Sequence, residues 1–80
     1  MSHTPHELHE EFPDHAARMS TLKATDPAFA ALADRYHEIN RAIHRAETDI
    51  EPTSDDHVEA MRRDRMRLKD QIWARLREPA

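Results

Sequence analysis

An all-α fold, an antiparallel helical hairpin with a short helical segment before it, is predicted by three observations. Phe29, Leu32, Tyr36, Ile39, Ile43, Ala46 and Ile50 recur at alternating steps of three and four, the a/d stripe of a coiled coil held for three heptads. A second, less regular stripe of Val58, Met61, Leu68, Ile72 and Leu76 follows a break that contains Pro52. β-branched runs are absent and only four residues are aromatic, so nothing supports a sheet.

The elements follow in order from local chemistry. Thr4 can cap a first helix, with Pro5 in its first turn and Glu7 closing a capping box. Pro13 disfavours helical geometry at Phe12 and lacks the N–H that a continuing helix needs, so this N-terminal segment, 5–24, is broken there. Its second part carries a modest apolar side of Phe12, Ala16, Met19 and Leu22 or Lys23. Asp26 is an N-cap with Pro27 at the first helical position, which opens the first hairpin helix, 27–50. Pro52 ends it. Thr53 or Ser54 caps the second hairpin helix, 54–77, with Asp55 and Asp56 at its positive end and Arg75 and Arg77 near its negative end. The whole chain, 1–80, reads as one domain, with 1–4 and 78–80 expected to fray.

A turn centred near Pro52 and Thr53 sets the register. Ile43 then faces Met61, Tyr36 faces Leu68, Leu32 faces Ile72 and Ile39 faces Arg65. An arginine on an apolar stripe has two solutions. The expected one lays its stem on the stripe and carries the guanidinium to water. The other buries the head against a partner that fixes register.

Composition narrows function by exclusion. The chain has 80 residues, no Cys and no Gly. Disulfides and thiolate zinc sites are excluded, as are Gly-rich phosphate loops and dinucleotide fingerprints. A domain this small removes only about 60% of its chain surface from water, so a second copy or an extra packing helix is expected to complete its core. The net charge of −4 gives no general attraction to nucleic acid or anionic lipid. The longest near-apolar run, Ala28 to Ala33, is far too short to span a bilayer, and the N-terminus lacks the pattern of a signal peptide. No membrane association and a cytoplasmic setting are expected.

Candidate sites are few. His3, His6 and His9 stand three apart and could share a face of the first helix with Glu10 as a ligand set. A frayed, exposed N-terminus is the expected setting of these His, so no metal site is expected, and the i, i+3 spacing of His6-Glu7-Leu8-His9, where a zinc protease has i, i+4, gives no support to a protease. His37 and His44 flank Arg41 on one side of the first hairpin helix and are expected to be solvated. The three Ser occur in capping or terminal contexts with no base near them, and no catalytic set emerges, so the chain is expected to be neither an enzyme nor a cofactor protein. From Thr53 to Ala80 there are seven basic against six acidic residues, a net of +1. Arg62, Arg63, Arg67 and Lys69 on that stretch are candidate phosphate contacts. Helix-surface pairing, for instance Glu59 with Arg63 and Asp64 with Arg67, is the competing use. Met66, Trp73 and Leu76 form a second apolar strip beside the seam, a candidate interface. Either the N-terminal segment or a second copy of the chain could cover it.

Phe12-Pro13, then Leu22-Lys23-x-x-Asp26, then Phe29-x-x-Leu32-x-x-x-Tyr36-x-x-Ile39-Asn40-x-x-Ile43-His44-x-x-Glu47, then Val58, Arg65 and Leu68-Lys69-Asp70-x-Ile72 together resemble the YdcH-like family of small bacterial proteins of unknown function. The resemblance runs from about His6 to Leu76, with the Leu-Lys-Asp-x-Ile string its most specific part. It implies a cytoplasmic helical hairpin and carries over no catalytic residue. The expected function is a non-enzymatic protein–protein interaction module that self-associates as a dimer and meets an unknown protein partner. The alternative is a nucleic-acid-associated accessory protein that uses the arginine-rich last helix.

Overall fold

The computed structural model describes residues 4–48 and 54–78. The expected seam end at Ile50, the turn at Pro52 and Thr53, and His3 lie outside them. Among the described residues the chain forms α1 (Leu8–Glu11), a 3-10 turn (Pro13–His15), α2 (Ala16–Thr25), α3 (Pro27–Glu47) and α4 (Asp55–Leu76). α3 and α4 are the antiparallel hairpin, and residues 4–25 fold back along one side of it as a strap.

The hairpin caps are as the sequence dictates. The Asp26 carboxylate accepts from the N–H groups of Ala28 at 3.0 Å and Phe29 at 3.3 Å, with Pro27 in the first turn. Ser54 accepts from the N–H of His57 at 3.2 Å and holds the start of α4. α3 closes at Glu47, earlier than the 27–50 expectation, with Thr48 as its C-cap at φ −96° and ψ 8° and its N–H and hydroxyl both on the His44 carbonyl.

The strap starts later than its sequence suggests. Thr4 does not cap a helix: Pro5 and His6 form a turn, and α1 begins at Leu8 with Glu7 as its N-cap. The carboxylate of Glu7 accepts from the backbone of Glu10, and Glu10 Oε1 accepts from the Glu7 N–H at 3.3 Å. This reciprocal pair satisfies two orphan donors. Helix geometry then fails at Phe12, immediately before Pro13. His6 and His9 therefore do not share a helix face, since His6 precedes the helix in a left-handed conformation with φ 63°.

One apolar cluster joins strap and hairpin: Leu8, Phe12 and Met19 from the strap, Phe29, Ala33 and Tyr36 from α3, Ile72 and Leu76 from α4. Nearer the turn, Ile43 and Met61 are buried as well. On α3 the deepest stripe is Phe29, Ala33, Tyr36, Asn40 and Ile43, whereas Leu32, Ile39 and Ala46 stay only partly covered. The strap causes this shift. It covers one flank of the expected seam, drawing Ala33 and Asn40 inward, and leaves the opposite flank open. Three polar contacts cross the hairpin, Asp26 with Arg75, Asn40 with Arg65, and Glu47 with Arg62, and of these Asn40 with Arg65 lies within one position of the expected register.

Candidate interaction surfaces

The strap is fastened by side chains of the hairpin. Tyr36 has no exposed surface, and its hydroxyl donates to the His6 carbonyl at 2.6 Å. Burial, reinforced by the negative charge of Glu11, pushes the Tyr36 phenol up to about 12, so it remains a donor. Asn40, 1% exposed, donates from Nδ2 to the Pro5 carbonyl at 2.9 Å and accepts at Oδ1 from Arg65 Nη1 at 3.0 Å. One buried amide thus joins the strap, α3 and α4, with donor and acceptor both satisfied. Arg65 is half-buried and bonded to Asn40. Its guanidinium does not simply run out to water as expected, because the register brings it opposite a buried acceptor.

Two further polar contacts flank this latch. His37 Nδ1 lies 3.1 Å from Glu7 Oε2. Lys69 Nζ lies 3.0 Å from Glu11 Oε1 and 5.9 Å from the centre of the Phe12 ring, within cation–π range. Burial works against the Glu11 carboxylate, but the hydrogen bond and charge of Lys69, with His6 behind them, outweigh it and hold Glu11 below the usual value. The bond from Arg75, with that from the Phe29 N–H, likewise keeps Asp26 low.

The expected strip of Met66, Trp73 and Leu76 is divided by the strap. Leu76 belongs to the core at 4% exposure and is no interface residue. Trp73 is 39% exposed, stacked on Phe12 with ring centres 5.6 Å apart and planes within 1°, and met edge-on by His15 at 5.3 Å. Met66 remains 66% exposed. Within a single chain, then, the N-terminal segment already supplies cover for Trp73 and Leu76.

The arginine-rich face is similarly engaged. Arg62 pairs with Glu47 at 2.6 Å and Glu59 at 3.4 Å, Arg67 with Asp64 at 3.2 Å, and Lys69 with Glu11. Glu59 takes Arg62, one residue short of the expected Arg63. Of the four candidate phosphate contacts, Arg63 alone lacks an ion pair among the described residues. No group of three His, Cys, Asp or Glu among the described residues could hold a metal ion. Nor, among them, is any helix long and apolar enough to cross a membrane.

The flank opposite the strap is different. There α3 and α4 bound a cleft of about 650 Å³ with Ile39, Ala42 and Leu68 on its floor. Arg35, Glu38 and Arg45 stand along one edge, and Asp64, Arg67 and Gln71 along the other. Ile39 and Leu68 were assigned to the hairpin seam by periodicity, and both are only partly buried. Sequence reasoning missed this open face. The signal for it was Ala42, a small residue beside the seam.

The model of a family described as a protein of unknown function, DUF465, matches residues 29–76, well over half of the chain. The chain belongs to the DUF465 family. That family includes the YdcH-like proteins. The match spans the hairpin from Phe29 to Leu76 and leaves out the strap, so Phe12-Pro13 and Leu22-Lys23 fall outside it. No curated protein and no solved structure matches the chain.

Proposed function

We propose that this chain is a non-enzymatic, cytoplasmic protein–protein interaction module that self-associates. The observation that supports the reading is the asymmetry of the hairpin. One flank is closed by the chain's own strap, through Tyr36, Asn40 and the Phe12–Trp73 stack. The other flank presents a cleft floored by Ile39, Ala42 and Leu68 with charged residues along its edges. An apolar floor with a polar rim is the anatomy of a contact surface. Folding energy in a domain of this size is scarce, and partially covered seam residues gain from a second layer.

The test is sedimentation equilibrium of the full chain over a wide concentration range, run beside a binding assay with RNA and DNA at several salt concentrations. Reversible self-association with no nucleic-acid binding is the expected result. Binding to RNA or DNA that falls steeply with salt would replace this reading with the nucleic-acid one, because phosphate contacts release counterions. The pairing of Arg62, Arg67 and Lys69 within the chain favours the first outcome.

A further inference from the structure

We infer that the open flank of α3 and α4 is the contact between two copies of the chain, packed antiparallel about a two-fold axis close to Ala42, with Glu38 of each copy opposite Arg45 of the other. The inference rests on the self-association reading and specifies the surface and the pairing that carry it.

The charge pattern selects the occupant. The cleft is bordered by Arg35, Arg45 and Arg67 and by Glu38 and Asp64, both signs interspersed around an apolar floor. A nucleic acid or an acidic peptide calls for one sign. A mixed border suits a surface carrying the same mixture in reverse order, which a two-fold copy of itself provides. The spacing is right for this. Glu38 stands four residues before Ala42 and Arg45 three after it, one turn to either side on the same helix face. Reversing the helix direction about Ala42 exchanges these two positions, so each dimer gains two Glu38–Arg45 pairs related by the axis. Among the described residues Glu38 has no ion-pair partner within its own chain, while Arg45 is already engaged there and is shared across the axis in the dimer.

Ala42 makes the crossing sterically possible. A small side chain at the point of closest approach lets helix axes come to the short end of the usual range of about 8–10 Å. Ile39 and Leu68, half-covered in one chain, are then shielded from water on both sides. From Arg35 to Arg45 the face extends only about 16 Å along α3. That is smaller than the roughly 800 Å² per partner of a standard interface needs, so the dimer is weak and concentration-dependent.

The experiment is sedimentation equilibrium on the full chain, with circular dichroism confirming unchanged helix content in each variant. The parent should show a monomer–dimer equilibrium. Glu38→Arg alone and Arg45→Glu alone should each weaken association at least about tenfold, since each sets like charges face to face. An equimolar mixture of the two single variants should associate again, because both cross-pairs regain opposite sign. Ala42→Trp should abolish association while the monomer stays folded. A mixture no better associated than its components overturns the inference. A parent that stays monomeric throughout overturns both this inference and the self-association reading. Association that survives both charge reversals but fails in Trp73→Ala overturns this surface alone and leaves self-association standing on the Met66 and Trp73 side.

Discussion

Replacing Asn40 by Ala removes a side chain of α3 that hydrogen-bonds both the strap and α4. Its Nδ2 bond to the Pro5 carbonyl joins neutral groups and contributes about 0.5–1.5 kcal/mol, and its Oδ1 bond from Arg65 involves a charge and contributes about 1.5–3 kcal/mol. Because Asn40 is almost fully buried, the Arg65 guanidinium would not find water in its place without local opening. A loss of about 2–4 kcal/mol follows. A domain of this length has roughly 4–12 kcal/mol in total, so the loss is a large share. At about 4–8 °C per kcal/mol the melting temperature should fall by at least about 8 °C, read by circular dichroism. Asn40→Asp should be milder in one respect and worse in another: it strengthens the bond from Arg65 but faces the Pro5 carbonyl with an acceptor. A double-mutant cycle with Arg65→Met isolates the charged contact. An Asn40→Ala variant that loses less than about 1 kcal/mol, or a coupling to Arg65 below about 0.5 kcal/mol, would refute the latch.

Ile43 has no exposed surface, so Ile43→Asp should cost several kcal/mol and leave the chain largely unfolded; a helical, fully stable variant would mean the seam is misassigned. Trp73→Ala removes the platform on which Phe12 stacks and should cost about 1–2 kcal/mol, with proteolysis of the strap accelerating more than that of the hairpin; equal acceleration in both would argue against the stack as a strap contact. Glu11 and Asp26 both ionise below their ordinary values of 4.5 and 3.8. A lowered folded value means that the stabilisation is complete above the ordinary value and vanishes as pH falls through the folded one. The melting temperature should therefore be level above about pH 5 and decline below it, and combining Glu11→Gln with Asp26→Asn should flatten that decline. An acid slope unchanged in the double variant would show that other carboxylates carry it.

What could be read from the sequence was whatever depends on near neighbours. The a/d spacing of Phe29, Tyr36 and Ile43 fixed one helix, and Asp26-Pro27 and Ser54 marked where helices start, because a cap is a contact between residues two or three apart. The strap's start was misplaced because two cap signals compete. Thr4-Pro5 offers one, Glu7 with Glu10 offers another, and only the fold-back against Tyr36 and Asn40 decides between them. The burial of Asn40, the pairing of Arg65 and the loss of Leu76 from the surface strip all depend on segments far apart in the chain. Periodicity cannot report them. The open cleft was hidden for a related reason: a heptad pattern says which residues leave water, but not which flank a third element will cover.

The hydrogen bonds of Tyr36 and Asn40 to the strap end on the carbonyl oxygens of His6 and Pro5, not on a strap side chain. Every residue type carries that oxygen. The buried polar groups of the hairpin therefore ask of the strap a path and a turn, and hardly any particular lettering at positions 5 and 6. A graft of unrelated sequence that makes a turn there, with Gly in place of His6 to take up the positive φ without a Cβ, satisfies the same two donors. At positions 5 and 6 the hairpin behaves in this respect as a socket for a generic backbone, whereas further along the strap Leu8, Phe12 and Met19 enter the core by their side chains.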